Sequence, residues 1–323
     1  MTGPIPTAAE LDGVRETASR IREAVRSVLE GLDPTIDAAL ATVLAQGHLL
    51  LEDVPGVGKT TLARAIGTAI DGTVGRIQFT PDLLPSDVTG VSVFRSDEHR
   101  FDFRPGPIFA NVVIADEVNR ASPKTQAALL EAMQERAVTV DGVTRRLPSP
   151  FLVAATQNPV DMEGTYPLPE AQRDRFMTRL AVGYPDHGSE LAMLDSHDGV
   201  DPLDAITPVT TIERLAEVIA VVRRVYAAPA VKEYIVDLAR ATRGHPDLRL
   251  GASPRASLQV LAVVKARAAM AARDHVLPDD VKALAIPVLA HRLIPTAQAR
   301  AAGRDPDATL HDLLERVPVP AAS

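Results

Sequence analysis

Between residues 11 and 32 the apolar side chains Val14, Ala18, Ile21, Val25, Val28 and Leu29 recur every three or four positions, which predicts a leading amphipathic helix. A second helical stretch over 36–44 precedes His48-Leu49-Leu50-Leu51-Glu52, a short apolar run that predicts a buried strand. That run meets a glycine-rich turn and a further helix from Thr60. Strand-like runs recur at 111–115 and 151–155, separated by a helical segment over 123–135. Strands alternating with helices imply a parallel sheet covered on both faces. Two hairpins interrupt the pattern. One sets 91–94 against 101–103 across the polar turn 96–100, and the other sets 138–140 against 143–144 around Asp141-Gly142, the strongest short hairpin signal.

The pattern changes at Tyr184-Pro185-Asp186-His187-Gly188. Helices are predicted beyond it over 211–226, 230–242, 254–273 and 278–291, with a short one at 311–316. The expected organisation is an α/β domain with a leading helix and two hairpins over 1–186, a smaller all-helical domain over 187–300, and a C-terminal helix and tail over 301–323. The length of 323 residues and the 46% hydrophobic content support two such cores.

Composition narrows the chemistry. With no cysteine in the sequence, disulfides, thiolate metal sites and thiol catalysis are excluded, and a reducing, cytoplasmic compartment is expected. Residues 1–15 carry no readable secretory signal. The apolar runs at 215–222 and 258–264 are broken by charges far short of the ~20 residues of a membrane span. A net charge of −8 argues against nucleic acid as the main partner, since such surfaces are basic overall or in a stripe.

Asp53-Val54-Pro55-Gly56-Val57-Gly58-Lys59-Thr60 stands between a strand and a helix, where a phosphate-binding P-loop belongs. Backbone amides of Pro55-Gly56-Val57-Gly58-Lys59-Thr60-Thr61 and the helix start would cradle phosphates; proline supplies no N–H but shapes the loop. Lys59 would reach the β and γ phosphates of ATP, and the Thr60 hydroxyl would ligate Mg2+. Asp53 occupies the position where the pattern asks for glycine. Asp takes left-handed backbone angles more readily than most residues, so the turn is expected to survive, with a carboxylate placed where it would weaken phosphate binding. Fifty-odd residues on, Val112-Val113-Ile114-Ala115 ends in Asp116-Glu117, at the strand end where open α/β sheets bind ligands. Asp116 would hold the magnesium shell and Glu117 would orient the attacking water. A third strand ends in Thr156-Gln157-Asn158-Pro159. Taken alone an Asn before Pro is a turn former, but at this edge the Asn158 amide can hold water or the γ phosphate.

In this order the P-loop, Val112-Val113-Ile114-Ala115-Asp116-Glu117-Val118-Asn119-Arg120-Ala121, Ala155-Thr156-Gln157-Asn158-Pro159 and Gly164-Thr165-Tyr166-Pro167-Leu168-Pro169-Glu170-Ala171-Gln172-Arg173-Asp174-Arg175-Phe176 resemble the MoxR family of AAA+ ATPases. The resemblance implies that Asn158 is sensor 1, that Arg175 is the arginine finger inserted into a neighbour's site, and that Arg255 is sensor 2 on the lid. Arg173 and Arg179 are rival fingers. Ser253 and Pro254 would cap and start the helix bearing Arg255, where exposed amides already favour an anion. The sequence departs from the family where a Gly-Gln pair usually helps frame the adenine: it reads Gly31-Leu32-Asp33.

The resemblance further implies a homo-oligomeric ring, expected to be a hexamer, acting on protein clients in a chaperone-like role, with von Willebrand factor A domain proteins as candidate partners. The hairpins would face the pore or the client. Two other readings stay open: a nucleic-acid-remodelling motor, and a scaffold that binds ATP with little turnover.

Overall fold

The computed structural model describes residues 3–158, 165–184, 187–188, 190–191 and 202–320. The leading helix α1 (Ala8–Arg26) starts at a reciprocal cap. The Thr7 hydroxyl accepts from the Glu10 amide, and the Glu10 carboxylate accepts from the Thr7 amide at 2.8 Å. The helix ends six residues before the apolar periodicity does. Val28 and Leu29 follow it in a turn, partly buried against the core.

In chain order there follow α2 (Asp33–Leu44), β1 (Leu49–Glu52), α3 (Lys59–Ala69), β2 (Val74–Gln78), α4 (Pro85–Thr89), the hairpin β3 (Gly90–Arg95) and β4 (Arg100–Pro105), β5 (Val112–Asp116) and α5 (Pro123–Glu135). Next come the hairpin β6 (Ala137–Val140) and β7 (Val143–Arg146), then β8 (Leu152–Gln157), α6 (Glu170–Arg173) and β9 (Thr178–Leu180). The five sheet strands pair in the order β2-β5-β8-β1-β9, every pair parallel. The domain boundary expected near Pro185-Asp186 lies outside the described residues, as do Pro159 and Gly164.

The period-2 alternation of the strands sorts their side chains between two cores. Leu49, Leu51, Val112, Ile114, Leu152 and Ala154 join α1, α2, α3 and the C-terminal helices. Leu50, Val113, Ala115, Val153 and Ala155 pack on the other face with Leu129, Leu130 and Met133 of α5. At roughly 1.5–3 kcal/mol for each fully buried Val or Leu, these central strands supply much of the driving force for the sheet. Strand β2 was absent from the pattern because it lies at the sheet's edge. Of its five residues only Ile77 is buried, so Val74-Gly75-Arg76-Ile77-Gln78 shows no clean alternation.

The C-terminal part comprises α7 (Ile212–Arg224), α8 (Pro229–Gly244), β10 (Leu248–Leu250), α9 (Pro254–Met270), α10 (Pro278–Leu289), β11 (Ile294–Pro295), α11 (Ala297–Ala301) and α12 (Pro306–Arg316). Its predicted helices start where expected to within about three residues, except α12, which begins five residues early behind the Asp305 cap; α11 was not predicted. To the expected helices it adds the short antiparallel pair β10–β11. Leu310 and Leu313 of α12 share one apolar cluster with Val263 of α9 and Leu284 of α10.

Both hairpins form where predicted. Asp141 and Gly142 both have positive φ (53° and 74°), the backbone a tight two-residue turn requires. The hairpins touch through Arg145, whose guanidinium lies 3.8 Å from the centre of the Phe103 ring. Phe94 and Phe101 pair across β3–β4 at 5.2 Å between ring centres and are exposed.

Candidate nucleotide site at the strand ends

The strand β1 delivers the chain to a loop whose shape depends on Gly56 and Gly58, at φ 85° and 89°. Gly58 is the N-cap of α3, so the unpaired first-turn amides of that helix open onto the loop. A side chain at Gly58 would press on Leu29, which packs against the back of the loop. Lys59 Nζ folds onto the loop itself, donating to the carbonyls of Asp53 and, at 2.7 Å, Val54. Burial pulls its pKa down, opposed by the carboxylates of Asp53, Glu117 and Asp116.

Asp53 departs from the sequence expectation. It is not among the residues with positive φ, so it does not keep the turn by a left-handed backbone. Nor is its carboxylate a bare charge beside the loop. Oδ1 accepts from the Val54 amide at 2.7 Å, and Oδ2 accepts from the amides of Val182 and Gly183 at 3.0 and 2.7 Å.

Asp116 ends β5, is 3% exposed, and accepts from the Thr60 hydroxyl at 2.8 Å. Arg76 Nε donates to its second oxygen at 2.9 Å, supplying the positive charge a buried carboxylate needs. A hydroxyl and a carboxylate so juxtaposed are hard oxygen donors of the kind magnesium takes. Gln157 Oε1, at the end of β8, and Asn119 Oδ1, just after β5, are buried without a hydrogen-bond partner among the described residues, acceptors that a bound water would satisfy. The residues present therefore fit a magnesium–nucleotide complex.

Glu117 sits at φ 56°, ψ 48°, a strained angle for a non-glycine residue, held there by its amide donating to the Thr156 hydroxyl at 2.9 Å. Its carboxylate accepts from Gln78 at 3.2 Å and from Arg120 at 2.7 Å. Asn158 follows β8 directly, and its carbonyl accepts from the Asn119 amide group at 3.3 Å. The Asp53 amide donates to Gln157 one residue earlier, so Asn158 leaves the sheet beside the loop.

The structure thus brings Pro55–Thr61, Asp116, Glu117 and Asn158 to one edge. Arg175 and Arg255 are not brought there. Arg175 lies just ahead of β9 and donates to Gln134 at 3.2 Å, next to Met133, whose carbonyl contacts the His48 ring. His48 immediately precedes β1, so Arg175 stands at the N-terminal ends of parallel strands whose C-terminal ends hold the P-loop. Arg255 is exposed in the first turn of α9, capped by Ser253 as predicted. Its charge bears on His48 and Arg292, which puts it at the same far end. Arg255, expected as sensor 2 on the lid, is thus separated from its own chain's P-loop by the length of the sheet strands. Of the rival fingers, Arg179 is spent on Asp307, one guanidinium nitrogen donating to both carboxylate oxygens at 2.7 and 2.9 Å, while Arg173 Nε is buried without a partner among the described residues.

Three residues here had no signal in the sequence. Gln78 and Arg76 sit on β2, and only the β2–β5 register, which sets Gln78 opposite Asp116, reveals them. Arg292 is buried and donates to Asp174 at 2.8 Å and to the carbonyls of Phe176 and Met177, fastening the helical part to the turn that carries Arg175.

A family model for AAA ATPases matches residues 48–178, and one for the AAA lid domain matches 240–313. The chaperone MoxR1 of Mycobacterium tuberculosis is 42% identical over 307 residues, covering 92% of this chain and 80% of its own length. The chain belongs to the MoxR family of AAA+ ATPases. YeaC of Bacillus subtilis, a protein described as uncharacterized, is 48% identical over 298 residues, 92% of this chain and 93% of YeaC. The crystal structure of a candidate ATPase from Cytophaga hutchinsonii superposes with a TM-score of 0.89 at 36% identity, over 97% of this chain and 98% of that one. The family's AAA domain implies nucleotide binding. Among the described residues no helix is long and apolar enough to cross a membrane.

Proposed function

We propose that this MoxR-family chain hydrolyses ATP with magnesium as one subunit of a cytoplasmic homo-oligomeric ring, a hexamer, that remodels or matures client proteins. The observation that carries the reading is the split between strand ends: the P-loop, Asp116 and Glu117 lie at one, Arg175 and Arg255 at the other. Strands of four to six residues span roughly 13–20 Å, too far for either guanidinium to reach its own chain's γ phosphate. In a head-to-tail ring the two edges of neighbouring copies meet.

In that arrangement Lys59 leaves the carbonyls of Asp53 and Val54 for the phosphates, and the first-turn amides of α3 receive the rest of the anion. Thr60 and Asp116 would hold magnesium, which would supply positive charge against the phosphates. Glu117 orients and polarises the attacking water, Asn158 fixes that water or the γ phosphate, and Arg175 and Arg255 of the neighbour neutralise charge in the transition state. The exposed Phe94–Phe101 pair would contact the client. A chaperone-like role follows the name of the relative MoxR1, and von Willebrand factor A domain proteins are the proposed partner class.

One observation favours a second reading, a nucleotide-binding scaffold of low turnover. Glu117 is held by Gln78 and Arg120 and is not free to act as a base until they release it. A nucleic-acid motor is disfavoured by the net charge of −8.

Steady-state phosphate release from ATP and magnesium across protein concentrations separates these readings. Specific activity is expected to rise with concentration, and Glu117→Gln and Arg175→Ala are expected to lose turnover while still binding nucleotide. Binding without turnover at any concentration would replace the enzyme with the scaffold.

A further inference from the structure

Asp53 stands where the phosphate-loop pattern asks for glycine, yet its backbone uses none of glycine's freedom. What the residue adds is its carboxylate, one oxygen of which reaches across to the segment that follows the neighbouring strand β9. It accepts from the successive amides of Val182 and Gly183, the first residues after β9, while Oδ1 is satisfied by Val54. Gly183 has φ 78°, and two successive amides converging on one anion form the concavity that elsewhere binds phosphate. Here the chain fills that concavity with its own side chain. Val182 is buried and Asp53 is half-buried, so water competes poorly for these donors.

The same residue faces the nucleotide through its other end. Its carbonyl, with that of Val54, is the present partner of Lys59 Nζ. Its amide donates to Gln157, which anchors it between β1 and β8. A triphosphate that takes Lys59 removes the partner of the carbonyls of residues 53 and 54. The peptide that then relaxes is the one whose side chain grips 182–183.

We propose that Asp53 is a positioning residue that transmits occupancy of the P-loop to the 182–183 segment. The proposal rests on nucleotide binding at this loop.

The test is amide hydrogen exchange of Val182 and Gly183 in the full chain, with and without a non-hydrolysable ATP analogue and magnesium. Wild type is compared with Asp53→Asn, which keeps the size and loses an acceptor, and Asp53→Gly, which restores the loop pattern. Nucleotide affinity is measured separately with a fluorescent ADP. In wild type, nucleotide is expected to change exchange at 182–183. Without nucleotide, both variants should exchange there about tenfold faster or more, the loss of one or two charge-assisted hydrogen bonds. Nucleotide should no longer alter that rate, kcat should fall, and KM should stay within about threefold. Wild-type exchange that ignores bound nucleotide, or Asp53→Asn retaining the wild-type response, would overturn the proposal. If no nucleotide binds wild type, the reading of the site fails; transmission then fails with it, while the variants' faster exchange still reports the clasp alone.

Discussion

The two ends of the parallel strands are built on different plans. At the C-terminal ends the groups that matter are short and mutually engaged: Thr60 on Asp116, Lys59 on the loop carbonyls, Glu117 between Gln78 and Arg120. At the N-terminal ends long arginines gather around the turn at 174–177. Arg292 is buried there as a strut, whereas Arg255 is exposed and Arg175 donates to a neutral amide oxygen, that of Gln134, at 3.2 Å. The first end holds its own groups to one another. The second spends Arg292 on holding shape and leaves Arg255 exposed.

The largest expected effect tests whether the two ends work across a subunit boundary. Arg175→Ala should cut turnover by ~10³ or more with nucleotide affinity nearly intact, whereas Lys59→Ala should lose binding. Mixed in equal parts, the two inactive variants should recover about a quarter of wild-type activity, because only interfaces with an intact P-loop and an intact finger function. No recovery on mixing would remove the shared site.

Arg292 should matter for stability before activity. It is buried, burial pushes its pKa down to about 10 against the pull of Asp174, and its removal strands that carboxylate. Asp174→Ala, which leaves the buried guanidinium uncompensated, is expected to cost about 3–5 kcal/mol in urea unfolding. A cost near zero would mean the far end is not held by this strut.

His48 gives the far end a pH dependence. Burial, with smaller contributions from Arg136 and Arg255, lowers its pKa from 6.5 to about 4 against the pull of the Met133 carbonyl. The folded imidazole is therefore neutral while the unfolded one takes up a proton below 6.5, so stability is full above that value and is lost as pH falls towards 4. The loss should reach about 3 kcal/mol, and urea midpoints at successive pH values should show it shrink in His48→Asn.

The smallest effect belongs to the P-loop end. Gln78→Ala frees Glu117 from one of its two partners and should raise basal turnover a few-fold, roughly the worth of one hydrogen bond, without changing nucleotide affinity. Unchanged turnover would leave Arg120 as the whole restraint.

The P-loop, Asp116, Glu117 and Asn158 were legible because each lies within a residue or two of an apolar strand, and in a parallel sheet adjacency to a strand's end fixes position. The helix over Pro123–Glu135 was legible for a similar local reason, being bounded by Ser122 at its cap and a left-handed Arg136 at its close. By itself the sequence therefore determined the fold class, the order of its parts and the P-loop end, all of which follow from periodicity and short-range spacing. The tertiary structure alone decided three things. It drew β2 into the edge of the sheet, bringing Gln78 and Arg76 to Asp116-Glu117 across some forty residues. It turned the Asp53 side chain towards 182–183, 129 residues away, converting an apparent defect in a motif into a tie. It set Arg255 with Arg175 at the end opposite the P-loop, through the packing of α9 and Arg292 onto the turn before β9. The reason is common to all three: a side chain's partner across the sheet is fixed by strand register and helix packing, and neither is written in the local spacing of residues.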